Sequence, residues 1–465
     1  MTASSKEPGG PVLDDSPWQL LRCPVTGRRM TFQRAADQPL PGDGFGVLRG
    51  GASPYPVVDG VPILLRGRVT VRNHVTGDEE AGGPDTAALV ALIETGHSLD
   101  ALLALLTVTP SPQWRGSHIP GSGRLLSQPR IGALARWIRR QRLRAHLGHG
   151  RRAGTLAWWS ELFHTRSQGI DGELVHYFRH RTTQPRYLAA HAAARPVLAS
   201  TGVVLDLACG YGHLSRDIAA GPPTAVVGVD RTFFQLWLAT HFVAPGARFV
   251  CADASTALPL ADGSIAAVIC SDAFHLLPNA ETILSELLRV CPDGPVVLTR
   301  VGNLDHEPHE GLERSAGGWA ALISDHHHLI TDEDRLVRHY LDRTTVTAST
   351  AQECAEAKWL TLLLSGNPDT DLAPEAPDGW PHDQGHLHIN PLYTQHPRAD
   401  GGLDLELTMP SSWYEFENNA LRGYHPAAAT VSAAAVRALS SGTRTPEIDR
   451  LITDFVVIGR APIPS

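Results

Sequence analysis

The apolar positions of this chain change their rhythm near residue 203. From there to about Val301, short continuous apolar runs alternate with amphipathic stretches. VVLDLAC, AVVGVD, RFVCAD, AAVICSD and PVVLTRV read as five strands, with helices following Gly212 and about Thr232. ETILSELLRVC is a further helix, with Ile283, Leu287 and Cys291 at i, i+4 and i+8. Pro292 stops it, because proline lacks the amide hydrogen that a helix needs. Strands that are apolar along their whole length bury both faces, so the pattern predicts a parallel sheet with helices on either side. The expected fold class is α/β, a doubly wound Rossmann-like sheet.

Outside this core the rhythm is weaker. Residues 17–68 form a small unit of turns and apolar runs ending in YPVVDGVPILL, and Asp59-Gly60 between two β-rich runs signals a hairpin. The polar stretch VTGDEEAGGPD reads as a linker. A helical preamble is expected over 85–200, with a leucine- and alanine-rich helix at 86–107. A basic amphipathic helix follows at 130–147, where Ile131, Leu134 and Ile138 share one face. The core is expected over 201–350, with TDEDRLVRHYLD helical and RTTVTAST a strand. A lid-like insertion is expected over 351–448, because 366–402 is rich in Pro, Gly, Asp and His. LITDFVVIG, within 449–465, reads as a terminal strand returning to the core sheet.

Composition narrows the function classes. A chain of 465 residues suits two or three folding units, and 42% hydrophobic residues suffice for a sizeable core. The net charge of −8 argues against coating nucleic acid or an anionic membrane. Only Lys6 and Lys358 are lysines, and the Ala, Gly, Pro and Arg content suits a GC-rich bacterial genome. The six cysteines form no CxxC pair and read as buried apolar residues in a reducing compartment. The first residues lack an apolar signal region, and no apolar run is long enough to span a bilayer. A cytoplasmic protein is expected, its oligomeric state open, with a homodimer one option.

Candidate chemistry concentrates in Val204-Leu205-Asp206-Leu207-Ala208-Cys209-Gly210-Tyr211-Gly212, a strand ending in a glycine-rich turn that opens a helix. Such a turn lets the backbone approach a ligand closely. Asp230 ends the following strand, where a carboxylate can accept hydrogen bonds from both hydroxyls of a ribose. Ser215 stands where a dinucleotide site would carry its third glycine, which disfavours a pyrophosphate.

On these residues the chain resembles the class I methyltransferase superfamily, particularly its methyltransferase-11-like branch. The first motif of that family is (V/L)LD(L/V)GCGxG, from which Ala208 departs mildly. Asp253 with Ala254 in CADA and the segment ICSDAFHLLPN match its third and fourth motifs. The resemblance implies S-adenosylmethionine as cofactor, with S-adenosylhomocysteine as product. It implies cofactor contacts from Asp206, Ala208, Gly210, Tyr211, Gly212, Asp230, Arg231, Asp253, Ala254 and Ser271. Asp206 would attract the cationic amino-acid end, Asp230 the ribose, and Asp253 the adenine. The expected function is methyl transfer to an oxygen or nitrogen of a small molecule, in bacterial specialised metabolism. An rRNA or tRNA methyltransferase and a non-catalytic cofactor-binding partner protein are the alternatives.

The N-terminal unit resembles the Trm112-like zinc-ribbon family through LLRCPVTGRRMTF and YPVVDGVPILL. Only Cys23 remains of its cysteines, and one thiolate cannot make a tetrahedral zinc site, so no metal is expected. The arginines of the basic helix are the feature that favours RNA. Against it stand the acidic balance, the lack of interleaved aromatics and the absence of a (D/N)PPY segment. Histidines cluster at 326–328 and at His382, His386 and His388, and read as surface residues. Candidates for a base or substrate anchor are His275, after the fourth strand, and His306 and His309, after the fifth. An imidazole titrating near pH 6.5 can take a proton from a hydroxyl acceptor.

Overall fold

The computed structural model describes residues 18–41, 44–69, 71–72, 79–80, 83–106, parts of 137–147, 180–221, 225–306, 314–373 except 343 and 345, and 387–459. Strands β1 (Thr31–Arg34), β2 (Gly46–Arg49), β3 (Tyr55–Val58) and β4 (Val61–Pro62) form an antiparallel N-terminal sheet. Asp59 and Gly60 join β3 to β4 with φ of 47° and 87°. Positive φ at both central residues suits a two-residue hairpin turn, as the Asp-Gly pair predicted.

This sheet is fused to the core. Core strands are β5 (Val203–Leu207), β6 (Ala225–Asp230), β7 (Arg248–Cys251), β8 (Ala267–Ser271) and β9 (Val296–Gly302). β10 (His327–Asp332) and β11 (Trp359–Ser365) complete them. The order is β10-β11-β9-β8-β5-β6-β7, with β5 to β9 mutually parallel and β11 antiparallel to both neighbours. At the β7 edge, Leu64 N–H donates to the Cys251 carbonyl at 2.7 Å and Arg22 N–H to that of Pro259 at 2.9 Å. Val58, Val61 and Ile63 pack in one cluster with Trp237, Val243 and Phe249. Covering the edge satisfies backbone groups that would otherwise template another chain.

Helices α1 (Thr86–Glu94) and α2 (Ser98–Leu106) join the same cluster, and Asp37 of the N-terminal unit accepts from Ser98 N–H at 2.9 Å. α3 (Pro185–Ala193) is tied to α4 (His213–Ala219) by a buried network. His191 Nε2 lies 2.7 Å from Asp217 Oδ2, to which the Tyr187 hydroxyl also donates. α5 (Phe233–Leu238), α6 (Ala280–Val290), α7 (Ala316–Ile323) and α8 (Glu333–Asp342) complete the layers.

Three expectations need correction. LITDFVVIG does not return to the core sheet: Leu451–Thr453 end a helix, α9 (Pro446–Thr453), and only Val457–Ile458 is extended, pairing with His388–Ile389. Ile448, Leu451 and Ile452 follow a helical period, and Thr445 caps the helix with Pro446 in its first turn. The antiparallel core strand is instead WLTLLLS, Trp359–Ser365. RTTVTAST forms no strand; Ser349 alone bridges to Ile330. Within the expected loop 366–402, Tyr393–Pro397 is a strand that pairs with Leu403–Leu407, which in turn pairs with Ala428–Val431. Residues 374–386, with His382 and His386, lie outside the described residues.

In the basic helix, Leu143 and Leu147 are buried while Ile138 is exposed. Among the described residues no helix is long and apolar enough to cross a membrane, and no cluster of His, Cys, Asp or Glu is arranged to hold a metal. Cys23 is buried, with its sulfur 3.5 Å from the Tyr55 hydroxyl. Burial raises its thiol, but hydrogen bonds from Thr26, Tyr55 and the backbone of Ala52 and Val25 outweigh that and bring it to about 6.

Candidate functional site

The C-terminal ends of β5, β8 and β9 lie side by side, and the strand order reverses between β5 and β8, where open α/β sheets form a crevice. The backbone turns left-handed on each strand: Ala208 at φ 55°, Asp272 at φ 61°, Arg300 at φ 54°. Each such non-glycine residue costs about 1–3 kcal/mol, so its surroundings hold it in place. At Arg300 the ladder with β11 slips between Leu298 and Val301, a bulge that re-aims the side chain.

The two motif glycines serve different ends. Gly212, at φ 73°, precedes α4, and a Cβ there would lie 2.9 Å from the Phe249 ring and 3.0 Å from the Ala239 Cβ. Gly212 is therefore required by packing. Gly210, at φ 54°, would meet only Gln235 Oε1 at 3.7 Å, so its outer face is open to a ligand. Its N–H donates to Asp230 Oδ2 at 3.1 Å, and Thr232 N–H donates to Oδ1 at 2.9 Å. These bonds fix the Asp230 carboxylate at the tip of β6.

Asp206 is buried and accepts from Ser215 Oγ at 2.6 Å. Burial lifts its carboxyl to about 7; the Ser215 bond opposes this and the nearby Asp230 charge adds to it. Asp253 Oδ1 accepts from Ser255 N–H at 2.9 Å and from Ser255 Oγ at 2.6 Å. Tyr211 and Ala254 are buried; Arg231 and Ser271 are half-buried, and Ser271 Oγ accepts from Thr299 Oγ1 at 3.0 Å. The structure thus brings the expected cofactor residues to one edge of β5, β6, β7 and β8. An open glycine face, flanked by carboxylates on successive strands, fits an adenosine with a cationic amino-acid arm.

The histidines are scattered. His275 lies in the one-turn helix after β8, buried, its ring centroid 5.6 Å from that of Trp359. His306 is exposed in the turn after β9, its N–H donating to the Asn303 carbonyl at 3.2 Å. His309 lies outside the described residues.

A group absent from the sequence reading gathers beside Asp272. Its carboxylate accepts from Arg186 Nη1 at 3.0 Å and from Arg300 Nη1 at 2.6 Å. Burial alone would raise this carboxyl, yet Arg300, Arg186 and Arg181 hold it far below the ordinary carboxylate range. Arg186 also donates to Asn418 Oδ1 at 2.6 Å and Gln184 Oε1 at 2.9 Å. The Arg300 guanidinium stands 4.0 Å from the Trp359 ring centroid, and its Nε is 3.3 Å from Glu333 Oε2. Burial pushes the Glu333 carboxyl up. An arginine inside the apolar strand PVVLTRV was the one signal legible beforehand.

Residues 204–294 match the family model described as a methyltransferase domain. Trans-aconitate 2-methyltransferase of Methylobacterium radiotolerans is 29% identical over 174 residues, covering 37% of this chain and 60% of that protein. The chain thus spans less than two thirds of that relative's length. Among solved structures, YcgJ protein from Bacillus subtilis is 18% identical, over 35% of this chain and 92% of that one, at a TM-score of 0.26. Geranyl diphosphate C-methyltransferase from Streptomyces coelicolor is 14% identical, over 40% of this chain and 75% of that one, at 0.30. Residues 204–294 are thus similar to a methyltransferase domain, set in a Rossmann-like α/β sheet.

Proposed function

We propose that the protein transfers the methyl group of S-adenosylmethionine to an oxygen or nitrogen of a small molecule, in the cytoplasm of a bacterium and in specialised metabolism. The observation that carries this reading is the open face of Gly210 between the Asp206 and Asp230 carboxylates. The Methylobacterium relative is named for trans-aconitate, which puts organic acids among the acceptors to try. The N-terminal sheet is read as a Trm112-like module without zinc, built into the core edge.

The bound cofactor supplies an activated methyl group on a sulfonium. The chain's task is then to hold the acceptor atom in line with that group, and orientation of this kind contributes roughly 7–11 kcal/mol. Asp230 would hold the ribose, Asp206 the amino end and Asp253 the adenine. His306, exposed beyond β9, is the candidate to take a proton from a hydroxyl acceptor, a role worth about 10²–10⁴-fold. His275, packed under Trp359, would instead support that ring. Against the RNA alternative, Arg140 and Arg144 both pair with Asp100 of α2.

Calorimetry with S-adenosylhomocysteine tests this reading. The wild type should bind, and Asp230→Ala should lose on the order of 1.5–3 kcal/mol, because a charged acceptor of hydroxyl hydrogen bonds is removed. Unchanged affinity in the variant would remove the assignment.

A further inference from the structure

We infer that Ser215 is a positioning residue for the cofactor, its buried hydroxyl keeping Asp206 the carboxylate that the cofactor's ammonium end needs. This deepens the function proposed above and rests on it. Asp206 lies in β5 between Gly228 of β6 and Ile269 of β8, neither of which offers a side-chain donor. Among the described residues no cation pairs with it, and the one side-chain donor to it is Ser215, at 2.6 Å. Ser215 is the third residue of α4 and is fully buried. A serine hydroxyl has one proton to donate. In a helix that proton commonly goes to the carbonyl four residues back; here it crosses to β5. Dinucleotide sites pack the helix against the strand with a glycine at this position. A glycine here would leave the buried carboxylate with no side-chain donor.

The other surroundings of Asp206 favour the neutral acid. Burial disfavours its charge, and the Asp230 carboxylate at the tip of β6 adds to that. The thiols facing it, Cys209 of the glycine loop and Cys270 of β8, are themselves pushed up by burial and by the acids. They stay protonated at neutral pH and bring no charge. Against these stand the hydroxyl and the backbone N–H of Ser215. A hydrogen bond to the charged form of an acid favours that form. With both partners buried, water does not replace a donor that is lost.

The test follows the Asp206 carboxyl by carbon-13 NMR of the aspartate-labelled full chain from about pH 5 to 9, its signal assigned with Asp206→Asn. Calorimetry with S-adenosylhomocysteine covers the same range. Ser215→Ala should raise the Asp206 midpoint by about one to two pH units. It should bind S-adenosylhomocysteine roughly fivefold or more weakly at pH 7, with the deficit narrowing as pH rises. Ser215→Thr keeps the hydroxyl and should stay within about half a unit of the wild-type midpoint. A midpoint shared by wild type and Ser215→Ala, or no titration of Asp206 in either over this range, overturns the inference. So does an affinity deficit of equal size at every pH, which is what a merely structural serine would give. If Ser215→Ala does not fold, Ser215→Cys, a much weaker donor, decides by the same midpoint shift. If S-adenosylhomocysteine binds none of these proteins, the cofactor reading falls by itself, and the carboxyl titration still decides whether Ser215 governs the charge of Asp206.

Discussion

The Trp237 indole N–H donates to the Asp59 carboxylate at 2.9 Å, and both side chains are buried. His241 Nε2 lies 3.0 Å from the same carboxylate oxygen. The hairpin of the N-terminal sheet is thereby fastened to α5 and the turn after it. That helix also carries Gln235, the neighbour of Gly210, so the fastening reaches the back of the cofactor loop.

From this contact, Asp59→Ala should destabilise the whole protein by about 1–3 kcal/mol, since it strands a buried indole donor. Chemical denaturation followed by tryptophan fluorescence would measure it. One cooperative transition is expected, because Val58, Val61 and Ile63 share a core cluster with Trp237 and Phe249. Two separated transitions would show the N-terminal sheet to be an independent domain.

Asp206 makes cofactor affinity depend on pH. Its buried carboxyl titrates at about 7, and only the ionised form attracts an ammonium group. Protonation as pH falls through 7 should therefore weaken S-adenosylhomocysteine, by up to about tenfold per unit. Asp206→Asn should bind more weakly at pH 8 and lose most of this pH slope. Parallel slopes for wild type and variant would show that Asp206 does not face the amino end.

What was legible beforehand was local. Asp206, Gly210, Gly212 and Asp230 sit in a strand–turn–helix unit, where one stretch of chain sets the geometry by itself. The expected parallel strands, β5 to β9, appear as such. The misreadings concern segments whose partners are remote. Trp359–Ser365 enters the sheet between β9 and β10, and its apolar run carries no marker of that place. LITDFVVIG contains a helix end and a two-residue strand, and apolar content without period favoured one long strand. The Arg186–Asp272–Arg300 group joins α3, the tip of β8 and a bulge in β9, a convergence that only the folded chain displays. Ser215, first read merely as a missing glycine, turns out to be the hydrogen-bond donor to Asp206.

The final prediction concerns acid. His425 is buried between the C-terminal elements, its ring centroid 4.6 Å from that of Phe455. Asn390 Nδ2 donates to His425 Nε2 at 3.0 Å, so Nε2 is an acceptor and the ring proton sits on Nδ1, facing the Leu421 carbonyl at 2.8 Å. A second proton would have to enter at Nε2, against the Asn390 amide hydrogens. Burial moves this imidazole from 6.5 down to about 4, with the Leu421 hydrogen bond opposing it. The folded chain therefore resists protonation while the unfolded chain accepts it. Stability is intact above pH 6.5, falls as pH drops below that, and its contribution is spent near pH 4. The loss is on the order of 3 kcal/mol at most. His425→Gln should be less stable at pH 7.5 but show a shallower decline between pH 6.5 and 4 in denaturation midpoints. Equal declines in wild type and variant would mean that another group governs the acid sensitivity of this region.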